Sequence, residues 1–186
     1  MSLRTIDFLA GAVLLFVFLA AIGGHYYLRA RRSSRATWES LLNRLTFVDR
    51  AAIARIALDV IDESGQHRKD ETSATLESAE IWKLIGGWNG VEALESNCTV
   101  LIDLAFYVQQ WYPEALFVAE QLRLSTREIE WHVERLRSAA KLGRLESSIP
   151  MNAQRAAVAY YLMTRYVLGL PQHGNLAMFA DLQKAL

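Results

Sequence analysis

Four histidines, one cysteine and twenty acidic side chains are the groups in this 186-residue chain that could serve acid–base, nucleophilic or metal chemistry. The histidines stand at 25, 67, 132 and 173, with no HExxH, no Glu-x-x-His and no second cysteine to complete a ligand set. Glu128 and His132 come nearest, one helical turn apart, but two ligands do not fill a protein metal site, and a surface ion pair at that spacing accounts for them. Cys98 follows Leu94 by four residues and precedes Leu101 by three, so it reads as a small apolar member of a helix stripe rather than a nucleophile. No G-x-S-x-G elbow occurs, and the glycine cluster GGWNG at 86–90 follows a helical pattern and lacks the lysine of a phosphate loop. Acid pairs such as Glu77/Glu80 and Asp62/Glu63 suit solvated helix faces and ends. No catalytic, cofactor-binding or metal-ligating residue is assigned and no cofactor is expected; an enzyme with a site inside a helical bundle is kept as an alternative.

Those residues sit on a chain with two unlike parts. Residues 1–35 hold five arginines against Asp7, leaving fifteen basic and nineteen acidic groups for the rest, although the whole chain is formally neutral. From Phe8 to Leu28 the sequence FLAGAVLLFVFLAAIGGHYYL carries no formal charge, and some 20 residues at about 1.5 Å each cross a hydrocarbon layer of roughly 30 Å. The expectation is a single transmembrane helix within 1–30, with Tyr26, Tyr27 and His25 at the polar boundary. Arg29, Arg31, Arg32 and Arg35 follow it, a basic tether at 31–36 suited to anionic lipid headgroups. By the positive-inside rule they place the N-terminus outside and the body, 37–186, in the cytoplasm. A signal peptide cleaved near Ala21-Ile22-Gly23 is the rival. Against it stand the long apolar stretch, Asp7 in the leader and the downstream arginines. A lone cysteine also excludes a disulfide scaffold and suits a reducing compartment.

Beyond the tether the apolar residues repeat at helical spacing and no alternating strand pattern occurs, which predicts an all-α bundle of about seven or eight helices. Trp38, Leu41, Leu42 and Leu45 mark the first helix. Ile53, Ile56, Val60 and Ile61 mark a second, over 49–63. The polar run 64–75 reads as the most mobile loop, and a helix from Leu76 to Ile85 ends at GGWNG. The clearest stripe is Leu94, Cys98, Leu101, Ala105, Val108 and Tyr112, in a helix over 91–112 that contains Asp103 off the stripe. Pro113 opens a helix over 113–123, and Ser125 with Glu128 forms a capping box that starts another at Thr126, with Ile129, Val133, Leu136 and Ala140 inward and Gly143 as the stop. A last long helix begins near Pro150, with Ala156, Tyr160, Met163 and Val167 on one face and Leu162 and Tyr166 widening it; a short helix follows from Asn175.

Two features bear on partners. The stretch AEQLRLSTREIEWHVERLRSAAKLGRLE at 119–146 resembles the helix-turn-helix of winged-helix regulators, which would put Thr126, Arg127 and Glu130 at the start of a recognition helix. Its charge argues otherwise: five basic and four acidic groups over 125–146 lack the surplus that phosphate binding requires, and Pro150 opens a helix where a wing needs strands. Trp82, Trp88, Trp111, Tyr112 and Trp131 fall near expected helix ends, where rings seal a core. Trp88, between glycines on a tight loop, is the expected partner contact. The reading is a non-enzymatic, single-pass membrane scaffold whose helical domain binds a membrane-associated protein or a second copy of itself. A membrane-tethered DNA-binding regulator is the runner-up. Nucleic acid is not the expected partner, and no small-molecule substrate is identifiable.

Overall fold

The computed structural model describes residues 11–21, 23–24, 37–66, 75–170 and 176–186. All the regular structure in them is helical, in two compact units divided after Ala36. In the first unit, residues 11–21 form an exposed helix, α1. Among the described residues no helix is long and apolar enough to cross a membrane. Much of the expected span, including His25, Tyr26 and Tyr27, and the whole tether with Arg29, Arg31, Arg32 and Arg35 lie outside the described residues.

The second unit runs α2 (Trp38–Leu42), α3 (Arg50–Leu58), α4 (Ser78–Ile85), α5 (Gly87–Val108), α6 (Ala115–Lys141), α7 (Leu145–Ser148), a π turn at Ile149–Ala153, α8 (Gln154–Gly169) and α9 (Leu176–Ala185). Helices α5, α6 and α8 pack on one another, α3 lies against α8, and the π turn touches α4, α6 and α8. Leu94, Cys98, Leu101 and Ala105 of α5 are fully buried, as are Leu122, Ile129, Val133 and Leu136 of α6 and Met163 of α8. Removing one such leucine or isoleucine from water is worth about 1.5–3 kcal/mol.

Caps set the ends of α2 and α3. The Thr37 hydroxyl accepts from the Ser40 N–H at 3.2 Å, and the Asp49 carboxylate accepts from the N–H groups of Ala51 and Ala52 at 2.9 and 3.1 Å. Helix α3 ends at Leu58 rather than near 63, and its C-cap residue is Asp59. Its carboxylate accepts from Thr75 N–H and hydroxyl, Leu76 N–H and the Gln154 amide, at 2.7–3.3 Å. Burial works to raise the Asp59 pKa, but these donors outweigh it and hold the carboxyl below its ordinary range. The chain leaving the polar 64–75 run is therefore tied to α3 and α8; residues 67–74 of that run lie outside the described residues.

Two boundaries depart from sequence expectation. Helix α5 starts at Gly87, not at 91, because Gly86 alone, at φ 91°, both ends α4 and precedes α5. Gly87 is also left-handed, at φ 63°. Gly90 already lies in α5, and a Cβ there would overlap the carbonyl oxygen of Ile85. The glycines thus serve an elbow of one residue rather than a loop.

The second departure is α6, which is unbroken. Ser125 and Thr126 continue the helix, and the Thr126 hydroxyl turns back to donate to the Leu122 carbonyl at 2.8 Å. The capping box of Ser125 and Glu128 is overruled because Leu122 and Ile129, two turns apart, are both fully buried on one continuous stripe. The turn on which the helix-turn-helix resemblance depends is absent. Gly143, at φ 68°, then lets the Arg144 N–H donate to the Ala139 carbonyl at 2.8 Å and closes α6.

These glycines predict unequal costs. Gly143 has open space around it, so Gly143→Ala loses only what the left-handed backbone costs, about 1–2 kcal/mol. Gly90→Ala must force α4 and α5 apart, and its loss should exceed that of Gly143→Ala. Urea unfolding of the two variants, followed by circular dichroism, measures the order; an equal or reversed loss would contradict the tight elbow.

Candidate functional site

The features that could meet another molecule are a groove between α3 and α8 and the outward side of α6. The groove encloses about 570 Å³ and is lined by Arg50, Ile53, Glu63, Tyr160, Thr164 and Arg165 among others. Its polar groups are largely engaged within the fold. Arg165 donates to the Glu63 carbonyl at 2.6 Å, Arg50 to that of Gln183 at 3.5 Å, and the Thr164 hydroxyl to that of Tyr161 at 2.8 Å. The buried Tyr160 hydroxyl accepts from Asn97 Nδ2 at 3.0 Å. Burial chiefly pushes the Tyr160 pKa up to about 12, against the Asn97 hydrogen bond and the Arg50 charge. A phenol so held keeps its proton at neutral pH, so it can donate a hydrogen bond but cannot act as a base.

Helix α6 carries its core residues on one side and an apolar row on the other. Phe117, Leu124 and Trp131, seven residues apart, are 76%, 61% and 53% exposed, and Leu142 continues the row at 71%. Seven residues are two turns less about 20°, so the row winds slowly and stays on one face over roughly 21 Å from Phe117 to Trp131. Half-buried Glu120 and exposed Glu114, Arg127, Glu128, Glu134 and Arg135 flank it, four acids and two bases. The Arg135 guanidinium stacks over the Trp131 ring, 4.6 Å from its centroid. Single exposed apolar residues need no explanation on a protein surface, but aligned large ones with a charged border are the pattern of a contact surface.

The residues singled out from sequence fall in different places. Trp88 is in the first turn of α5, half-buried, with its ring edge-on to Trp82 at 5.2 Å, so it seals the elbow instead of projecting from a loop. Thr126, Arg127 and Glu130 sit in the middle of α6 and not at a helix start. Thr126 is half-buried, while Arg127 and Glu130 are exposed. His132 is not on the surface with Glu128. It is buried, and its Nδ1 pairs with Asn152 Oδ1 of the π turn at 2.9 Å, while Asn152 Nδ2 donates to the Ser148 hydroxyl at 2.9 Å. Asp103 pairs with Arg44 at 3.1 Å. Tyr166 is exposed, so α8 is enclosed mainly along its first half. Trp111 and Trp131 are exposed, although the Trp111 ring meets Tyr107 at 5.1 Å and the Trp131 ring meets buried His132 at 4.8 Å, and Trp131 is far from a helix end. Among the described residues no cluster of three or more histidine, cysteine or acidic side chains could hold a metal ion. His25, His67 and His173 lie outside the described residues.

Sequence reading missed the outward row on α6, although the seven-residue spacing of Phe117, Leu124 and Trp131 was its signal. Splitting the helix at Ser125 hid the register. Compared with protein-family models, curated proteins and solved structures, the chain matches none.

Burial also fixes the chemistry of Cys98, whose thiol is pushed from 9.0 up to about 12, chiefly by desolvation. In the folded chain at neutral pH the thiol should resist a maleimide, and it should label once urea unfolds the protein. Labelling of the native state would contradict the burial. Tyr160 and Cys98 both hold their protons to higher pH when folded than when unfolded, so the unfolded state binds fewer protons in the alkaline range. Stability should hold to about pH 9 and fall as pH rises towards 12. Thermal melts against pH should show that decline shallower in the variant carrying Tyr160→Phe and Cys98→Ala.

Proposed function

We propose that this chain is a membrane-anchored, non-catalytic interaction domain whose contact surface is the outward row of α6. The observation that carries the reading is the alignment of Phe117, Leu124 and Trp131, exposed on a helix whose opposite side is packed into the core. Large apolar and aromatic side chains in such rows supply most of the energy of protein–protein contacts.

Anchoring is supported by the uncharged sequence from Phe8 to Leu28 and by Arg29, Arg31, Arg32 and Arg35 after it. That order gives one span, an outer N-terminus and a body on the cytoplasmic face, with the arginines against anionic headgroups. An anchor makes physical sense for a binding domain. It confines the domain to a thin layer and raises its effective concentration towards other membrane-bound proteins.

The test uses the full chain in the membranes of its expression host. The chain should stay in the pellet after alkaline carbonate, and release into the supernatant would refute the anchor. A photo-crosslinking residue at 124 should capture protein. Leu124→Asp and Trp131→Ser should each weaken co-purification of the captured protein at least tenfold, and Leu124→Asp should change unfolding stability by less than about 0.5 kcal/mol, because Leu124 is exposed. Unchanged co-purification would show that the row is not the contact surface.

A further inference from the structure

Resting on that reading of the α6 row, we infer that its partner is a second copy of this chain, docked α6 against α6 in antiparallel, two-fold fashion about Leu124. The row and its border fit themselves. In a two-fold arrangement each patch meets its own twin, so contacts come in equal pairs and the surface must be self-complementary. With Leu124 at the axis, Phe117 of one copy lies beside Trp131 of the other, and both ends of the row are closed by an aromatic pair. On one edge Glu120 then faces Arg127 of the second copy, and on the other Glu114 faces Arg135. Each pairing occurs twice, so four unlike-charge contacts border the apolar centre.

Direction follows from the helix dipole. Acids and bases are spread evenly along α6, Glu114, Glu120, Arg123 and Arg127 in its first half and Glu128, Glu130, Glu134, Arg135, Arg137 and Lys141 in its second, so the dipole is what distinguishes the two directions. Side-by-side copies pointing the same way would align the helix dipoles unfavourably, whereas opposed copies oppose them. The same border argues against a lipid surface as the occupant. Glu114, Glu120, Glu128 and Glu134 outnumber Arg127 and Arg135, whereas a helix lying on anionic headgroups needs a basic margin.

Cysteine pairing in the full chain, in membranes, tests the arrangement. Cys98 is buried in the core, so an introduced cysteine supplies the reactive thiol. Leu124→Cys should give a disulfide-linked dimer under mild oxidation, and Phe117→Cys mixed with Trp131→Cys should give the mixed dimer in preference to either like pair. Glu120→Arg and Arg127→Glu should each lower the yield roughly fivefold, as the loss of two edge pairs predicts, and the two together should restore it. Preferential like pairs at 117 and 131 would overturn the antiparallel arrangement. No disulfide in the Leu124→Cys variant, with a crosslinker at 124 capturing a different protein, would overturn self-pairing and leave the α6 contact surface standing. Free labelling of the introduced thiol by a water-soluble maleimide, with nothing captured, would overturn both. Protection of that thiol that appears only on adding anionic vesicles to the detergent-extracted Leu124→Cys chain would overturn self-pairing in favour of lipid.

Discussion

One buried amide governs how the helices of the second unit are arranged. Asn97, in the middle of α5 and 1% exposed, takes the Thr46 N–H on its oxygen at 2.8 Å. Its nitrogen donates to the Thr46 carbonyl at 2.7 Å and to the Tyr160 hydroxyl at 3.0 Å. The segment between α2 and α3, a peptide stretch with no regular ladder of its own, is thereby held to α5, and α8 is locked at the same point. A buried polar group left without partners costs about 1–3 kcal/mol. An apolar replacement would strand both polar groups of Thr46 at once. The amide therefore constrains where α8 can lie, and through α8 the walls of the groove it shares with α3.

Apolar and polar contacts divide the labour in this bundle. Leucine, isoleucine and alanine stripes bring α5, α6 and α8 together but are tolerant of sliding along the helix axis. The polar contacts are directional and fix the connections: Asn97 holds the residues before α3, Asp59 holds the return into α4, and His132 with Asn152 ties α6 to the π turn that leads into α8. On the surface Arg137 of α6 bridges Glu95 of α5 and its own neighbour Glu134, both at 2.7 Å. Arg55 of α3 pairs with Glu80 of α4. Such exposed pairs add little energy, so the buried polar contacts carry most of the geometric specificity.

What could be read from the sequence follows from the range of each signal. The helical stripes are local repeats, and Leu94, Cys98, Leu101, Ala105, Ile129, Val133, Leu136, Ala156, Tyr160 and Met163 are buried as their spacing predicts. The cap at Ser125 is local too, but it competes with a stripe running through it, and a few buried side chains outweigh one side-chain cap of about 1 kcal/mol. Asn97 and His132 were illegible for a different reason. Their partners are 51, 63 and 20 residues away in sequence, and no spacing rule connects a polar residue to a partner brought near only by folding. Trp88 stands in the first turn of α5 rather than on a loop because the left-handed backbone of Gly86 and Gly87 folds the chain back tightly enough to bring its indole against Trp82.

Helix α6 keeps its two sides separate: Leu122, Ile129, Val133 and Leu136 answer to the interior, and Phe117, Leu124, Trp131 and Leu142 answer to whatever lies beyond. The two sets meet at one point, where the Trp131 ring stands edge-on to buried His132 at 4.8 Å, and elsewhere a mutation on one leaves the other largely in place. Were the outward row the contact surface, descendants of this sequence would be free to exchange one companion for another while inheriting the same architecture, the two pressures of selection acting largely on separate letters of a single helix.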